Sequence, residues 1–412
     1  MKKVVFLLIM IVSSFMLIGC VDPFNSPEIV IVKDGKYGFL SLTGKVVIEL
    51  EYDYASGFFE NGLSIVKKDS KYGCINRSNG VEIPFEYEDG FGFDEELNEI
   101  CMKKNSKWGI ISKKGEIIIP FVYDEFSFVR AKEALVAKKD GKWGVINLEN
   151  VTMIPFLYDS IRMKTDGQYA VKLDGKWWFV TETGEKSTNG YDGAQPFSQG
   201  LAAVKISDKW GFVDKTGNAR ISPKYDLVTD FIDGYSIVSL DGKSGVIDLS
   251  GGNVLDMEYD RIEYRNKSEI ILHKDGEAAL ASDHFEASFN KEFDLGVEEI
   301  GFFTSSGFAS VKINGKYGFI TRRELLSIEP KYLDVKYDKD LTTIGVCFDD
   351  GYWGLIDYRD NTLIKSQYDN IIIVNEDVVI VERDGKYGLS SRNDSRLTGI
   401  EYANMYLLKI AA

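Results

Sequence analysis

Lys139 to Ile146 reads KDGKWGVI, and the fold turns on how that stretch is read. Asp140-Gly141 suits the two positive φ angles of a type I′ turn, the two-residue connection whose twist matches the strands it joins. With the turn placed there, Lys138 faces Trp143, Ala137 faces Gly144 and Val136 faces Val145 across a hairpin. Successive side chains alternate, so Trp143 and Val145 share one face, while Gly144 and Ile146 share the other with Ala137 and Leu135. Both faces are apolar, and a hairpin of this kind is expected to lie sandwiched between neighbouring units.

The stretch recurs along the whole chain. Aromatic-glycine pairs stand at Tyr37-Gly38, Tyr72-Gly73, Trp108-Gly109, Trp143-Gly144, Trp210-Gly211, Tyr317-Gly318, Trp353-Gly354 and Tyr387-Gly388. Trp177-Trp178, Ser244-Gly245 and Ala278-Ala279 hold the same register, giving eleven copies at intervals of 33 to 39 residues. A second aromatic follows thirteen or fourteen residues after each glycine position, as at Tyr52, Tyr123, Tyr225 and Tyr368, often with an acidic residue next: Asp53, Asp124, Asp226, Asp369. A fixed offset means a connection of fixed length, hence one rigid unit. Turn signals such as Thr43-Gly44 and Lys114-Gly115 lead to a third apolar run such as EIIIPFVYD. Each copy therefore predicts a three-stranded antiparallel meander and a variable loop that often carries phenylalanine, as at Phe58, Phe128, Phe197 and Phe231. For the recurrent glycine the expectation is a dent on one face that receives an aromatic ring from the adjoining unit, with Trp143 as the bulge on the other.

The signatures GKWGVI, DKWGFVDKTG and GKYGFI and the later PKYD resemble the bacterial WG-repeat (KWG-repeat) family, over nearly all of the chain from Glu28 onward. The resemblance implies a β-rich repeat, frequent in exported or surface proteins, with no shared enzymatic activity and no catalytic residues to carry over. The fold class expected is all-β. An open twisted superhelix is favoured over one or two closed propeller-like rings, because eleven units exceed the usual four to eight blades. Residues 28–275 make repeats one to seven, 276–311 a degenerate repeat or hinge, and 312–412 repeats nine to eleven, with MYLLKI (Met405 to Ile410) as a strand that caps the array or closes a ring.

The N-terminus carries different information. Lys2 and Lys3 precede an apolar run, Val4 to Ile18, that is too short for a spanning helix and suits an export signal over residues 1–19. Leu17 to Cys20, LIGC, looks like a lipobox, which implies acylation of Cys20 and a tether over residues 20–27. A bacterial membrane is thus the first expected partner, at the cell surface or the periplasmic side. The formal charge of −15 repels phosphate backbones, which argues against nucleic acid.

Motifs for chemistry are sparse. The two histidines, His273 and His284, stand in no nucleophile motif, and Cys74, Cys101 and Cys347 lack metal or disulfide spacing and read as core residues. Asp94, Glu95, Glu96, Asp349 and Asp350 form no calcium pattern, and Gly90 to Phe93 lacks the Lys and Ser/Thr of a phosphate loop. The repeated Tyr-Asp is better explained by turn capping than by acid/base work, since an enzyme needs one site. No catalytic residue, metal or cofactor is assigned. The expected function is a non-catalytic binding or scaffolding role toward a protein, peptide or envelope polymer. A hydrolytic, for instance carbohydrate-active, enzyme with paired carboxylates and a structural envelope spacer are the alternatives.

Overall fold

The computed structural model describes residues 28–59, 61–94, 99–131, 134–162, 168–266, 269–281, 296–322, 325–338, 340 and 342–406. Cys20, with the signal and tether before Glu28, lies outside them, as do Glu95, Glu96, His284 and residues 407–410.

Among the described residues every regular element is a β-strand, gathered into eleven antiparallel sheets, eight of four strands and three of three. The hairpin around Asp140-Gly141 forms as its sequence requires. Ala134–Lys139 pairs with Lys142–Asn147 in the register Val136↔Val145, Ala137↔Gly144, Lys138↔Trp143, and Asp140 and Gly141 take φ of 52° and 79°. Trp143 then lies opposite Tyr158 on the next strand, Thr152–Tyr158. The same pairing joins Tyr37 to Tyr52, Trp210 to Tyr225 and Trp353 to Tyr368, so the fixed offset between the two aromatics is one rung of a ladder.

The unit gains a strand that the meander lacked. After the second aromatic and the residue beyond it, acidic in most copies, the chain passes directly into the next sheet wherever that link is described: Ile117–Tyr123 belongs to the third blade, and beyond Asp124, Glu125–Ala131 belongs to the fourth. Several of these opening strands are only two residues long, Tyr54–Ala55, Gly193–Ala194 and Leu227–Val228, which is too short to show any alternation.

Both faces of each sheet are buried, and by different neighbours. Val136 and Val145 pack against Tyr169 and Val171 of the fifth blade, whereas Leu135, Ala137 and Ile146 pack against Ile110 and Ile119 of the third. There are eleven such apolar clusters, one between every consecutive pair of blades and one between the eleventh and the first. An open array of eleven units has ten joints. The chain therefore closes into a propeller-like ring, and the favoured open superhelix gives way to the alternative.

Closure has a direct cause. Among the described residues the first blade has no opening strand of its own, and Asn404–Tyr406 supplies it, pairing Met405 with Ile31 and Tyr406 with Val30. Met405, 1% exposed, enters the cluster of Ile29, Ile31 and Leu40 with Val378 and Ile380. Within 276–311, the described residues serve as parts of blades eight and nine, whose joint has its own cluster around Ile271, Phe303 and Val311.

The dent expected at glycine is filled from within its own blade. A Cβ on Gly144 would lie 2.8 Å from the Ile154 carbonyl oxygen and 2.8 Å from the Phe156 ring, both on the following strand. That strand bulges, setting four residues' advance, Ile154 to Tyr158, against two on its partner, Val145 to Trp143, and so drives a carbonyl over the glycine. Gly38, Gly73, Gly109, Gly211, Gly245, Gly318 and Gly354 meet the carbonyl ten residues on in the same way. In the fifth blade the fourth strand is reduced to isolated bridges, Trp177↔Tyr191 and Val180↔Lys186, and Trp178 occupies the glycine position. A reduced fourth strand does not by itself release the position, since in the eleventh blade, where that strand is only isolated bridges, a Cβ on Gly388 would lie 2.6 Å from the Gly399 carbonyl oxygen.

Gly144→Val is expected to lower stability by about 1–3 kcal/mol through this overpacking, read as a lower denaturant midpoint. An unchanged midpoint would refute the carbonyl contact. Met405→Ala should cost about 2–5 kcal/mol, because it hollows the closing joint. Solution scattering on the same variant would report any opening of the ring.

Candidate functional site

Two sets of connections emerge from the blades. On one, the type I′ turns meet the Tyr-Asp links. Lys107, Lys142, Lys209 and Lys243, the lysines two residues before the glycines, place Nζ 2.5, 2.7, 2.5 and 2.6 Å from Asp124, Asp159, Asp226 and Asp260. The other oxygen of the carboxylate often accepts from the turn of the next blade: Gly141 N–H to Asp124 at 2.9 Å, Asp241 N–H to Asp226 at 2.8 Å, and Asp275 N–H to Asp260 at 2.8 Å. Each carboxylate thus ties its own blade to the following turn. The lysine hydrogen bond is the largest cause holding Asp124, Asp226 and Asp260 below the ordinary carboxylate value, and the turn N–H comes second. A row of carboxylates engaged in this way is structural. Sequence reasoning about turn capping missed the lysine, although its signal is there as a constant spacing of seventeen residues before each of these aspartates.

The residues singled out for chemistry are similarly occupied. His273 Nε2 lies 3.0 Å from Glu263 Oε1 and 3.0 Å from the Arg261 guanidinium, and burial above all lowers its pKa. Asp349 binds Lys316 at 2.5 Å, and Asp350 accepts from Ser366 and from the Tyr352 N–H. Cys74 and Cys347 are buried in strands and Cys101 half-buried; burial pushes the Cys74 thiol up to about 12.

The second set of connections comprises the loops between first and second strands and the turns between third and fourth. Here sequence varies most. In several joints a loop phenylalanine seals the gap between blades: Phe58 lies 4.7 Å from Phe39, Phe197 4.6 Å from Phe179, and Phe231 4.7 Å from Phe212. The joint between blades nine and ten has Tyr337 in that place, against Phe319. It holds an open cleft of ≈ 250 Å³ lined by Thr304, Ser306, Phe308, Phe319, Tyr337, Thr342, Ile344 and Tyr358. Its inner wall is fixed: the Tyr337 ring meets Phe319 edge-on at 5.2 Å, and its hydroxyl donates to the Phe302 carbonyl at 2.8 Å and accepts from the Ser310 N–H at 3.0 Å. At the mouth, Phe308 and Tyr358 face each other at 5.9 Å, with Tyr358 38% exposed. No motif marks the cleft in the sequence, because the residues that line it come from two blades.

The paired aromatic and glycine, the rung to the second tyrosine and the carbonyl crossing define the repeat in space. A model of the WG containing repeat matches residues 37–72, 72–108, 108–143, 143–177, 190–210, 210–243, 295–317 and 353–387, more than half of the chain. The chain belongs to the WG-repeat family. Trp178 and Ala279 fall between the matched segments, where the WG-repeat pattern has lost its glycine. No curated protein matches the WG-repeat chain. Among solved structures, it is similar to a eukaryotic initiation factor (7% identity, 93% of this chain and 98% of that one, TM-score 0.44). It is also similar to Hsv2p of Kluyveromyces lactis (11%, 64% and 91%, TM-score 0.25). A third likeness is to PorZ of Porphyromonas gingivalis, a surface component of a type-IX secretion system (9%, 84% and 52%, TM-score 0.25). All three likenesses are shallow, and none bears on what the WG-repeat ring does.

The carboxylate row makes a pH prediction. A depressed carboxylate contributes stability that is complete above its unfolded pKa and is lost as pH falls through the folded one. The ordinary value is 3.8, so the denaturant midpoint is expected to hold from pH 7 to near 4 and fall below it. In a combined Asp124→Asn, Asp226→Asn and Asp260→Asn variant the acid-side drop should shrink; an identical drop would assign it to other groups.

Proposed function

We propose that this WG-repeat protein is an exported lipoprotein, held to a bacterial membrane by acyl chains on Cys20, whose ring is a non-catalytic binding or scaffolding platform for a protein, peptide or envelope polymer. The observation that carries the reading is the division of labour within each repeat. Motif residues are committed to joints: the glycines lie under carbonyls, and the lysine and aspartate tie each blade to the next turn. What varies is left to one set of loops, the place where repeat scaffolds put recognition.

The tether sets the platform's place. Glu28 stands among those loops, its carboxylate paired with Arg77 in the turn of the second blade. Eight residues, 20–27, span at most about 28 Å when extended. Acylated Cys20 therefore holds the loop side of blades one and two close to the bilayer, and two or more acyl chains make such an anchor stable.

Cys20→Ala is expected to abolish incorporation of labelled palmitate and to release the protein from the membrane fraction. Retention of both would overturn the anchor. Photocrosslinking in intact cells from Gln199 and Asp233, in the loops of blades six and seven, tests the platform: a saturable partner supports it, and its absence at every loop favours a spacer.

A further inference from the structure

We propose that His273 is a proton-operated switch: on gaining a proton it takes the Glu263 carboxylate from Arg261 and sends the Arg261 side chain out to solvent. Nothing in the switch depends on the ring being a binding platform, since the groups that move all belong to the eighth blade.

The same place in other blades holds a permanent charge. Lys67, Lys103, Lys138 and Lys312 stand six residues before the glycine, with Nζ 5.2, 5.7, 5.5 and 5.3 Å from the ring centres of Tyr72, Trp108, Trp143 and Tyr317, the aromatics across the hairpin. In the eighth blade both partners have changed: His273 stands for the lysine, and Ala278 lies opposite it in place of the ring. A fixed cation has given way to the side chain that titrates near neutrality.

Three groups from the neighbouring strand converge on it. Arg261, Glu263 and Arg265 alternate along Arg261–Asn266 and so share a face, and Arg261 is the direct partner of His273 across the ladder. Glu263 Oε1 lies 2.8 Å from the Arg261 guanidinium and 3.0 Å from His273 Nε2, and Arg261 itself lies 3.0 Å from Nε2. A neutral imidazole cannot satisfy all three sides of this triangle. With Nε2 bare, it accepts from Arg261, but its lone pair then faces a carboxylate oxygen. With Nε2 carrying the proton, it donates to Glu263, and the Arg261 N–H then meets another N–H. A doubly protonated ring settles the contest, because the imidazolium attracts Glu263 and repels Arg261. Arg261 is the side that can yield, its side chain being 60% exposed against 12% for His273 and 26% for Glu263. Arg265 stays, held between Glu263 Oε2 at 2.8 Å and the Ile300 carbonyl of the ninth blade at 3.0 Å, so the joint between the two blades is kept. The other charges on the strands around His273 are engaged or exposed: Asp260 with Lys243 and the Asp275 N–H, Lys274 with Glu258, Glu277 in solvent and, on the adjoining strand Val297–Ile300, Glu298 with the Gly315 N–H and Glu299 with Lys312. Burial above all, and then Arg261, holds the His273 pKa below its ordinary 6.5, which sets the exchange for acid conditions.

The test uses the full chain in nanodiscs. Exchange of the His273 C2 hydrogen for deuterium, resolved from His284 by peptide mass spectrometry, reads the protonation of the ring, and the nitrogen NMR signals of the Arg261 guanidinium, assigned by Arg261→Lys, read its attachment. With His273 neutral, the guanidinium is expected to give separate Nη signals, the mark of a restrained group; below pH 6.5 these should merge over the same interval in which His273 gains its proton. Arg261→Gln should move the His273 midpoint upward by about 1 pH unit, and Glu263→Gln should move it downward. His273→Gln, which keeps a polar side chain that takes up no proton, should leave the Arg261 signals separate throughout. The switch is overturned if Arg261 stays restrained while His273 is protonated, if Arg261→Gln leaves the midpoint where it was, if His273 stays neutral until the ring unfolds in acid, or if Arg261 lets go in the His273→Gln chain as well. Should Glu263→Gln fail to fold, the other two variants decide the outcome.

Discussion

Every sheet in this protein is apolar on both faces, and that one constraint sets the rest. A blade with two buried faces needs two neighbours, so any finite row leaves two faces exposed. Ile29 and Ile31 at one end and Val378 and Ile380 at the other are those faces, and they bury each other. The closing strand Asn404–Tyr406 then completes a sheet whose edge would otherwise be unpaired, which removes the hazard of an open edge.

Within the blade a second constraint operates at shorter range. The bulged fourth strand brings a backbone carbonyl down onto the third, and only a residue without a side chain fits below it. The aromatic before the glycine and the tyrosine across from it hold that strand in register, with Trp143 against Tyr158 as the type example. In the fifth blade, where the fourth strand keeps only isolated bridges, Trp178 fills the position, whereas in the eleventh, reduced in the same way, Gly388 still lies under the Gly399 carbonyl. The joints between blades are tied at the periphery by the lysine–aspartate–turn contacts and filled at the loops by phenylalanine.

Much of this is legible in the sequence, and what is not escapes for physical reasons. The Asp140-Gly141 turn, the register across it and the burial of both faces follow from local chemistry that one copy displays in full. The rung between the two aromatics shows in the sequence as a constant offset, from Tyr37 to Tyr52 and from Trp143 to Tyr158 alike. Two-residue strands such as Gly193–Ala194 carry no period and so read as loop. Ring closure depends on Met405 meeting Ile31, a contact that no local pattern encodes. The cause of the glycine lies on a different strand, ten residues away, so alternation alone points to the adjoining unit instead. The cleft has no local signature, since Phe308, Tyr337 and Tyr358, which line it, come from two blades and meet only in the folded ring.

The shared first blade also fixes an order of events. Ile29–Lys33 is synthesised long before Asn404–Tyr406, the strand that lies beside it. Its sheet therefore stays one strand short until Asn404–Tyr406 has been made. Folding thus cannot be completed piecemeal along the chain, and a chain cut short before residue 404 keeps an unpaired edge on Ile29–Lys33, a template for pairing with a second copy.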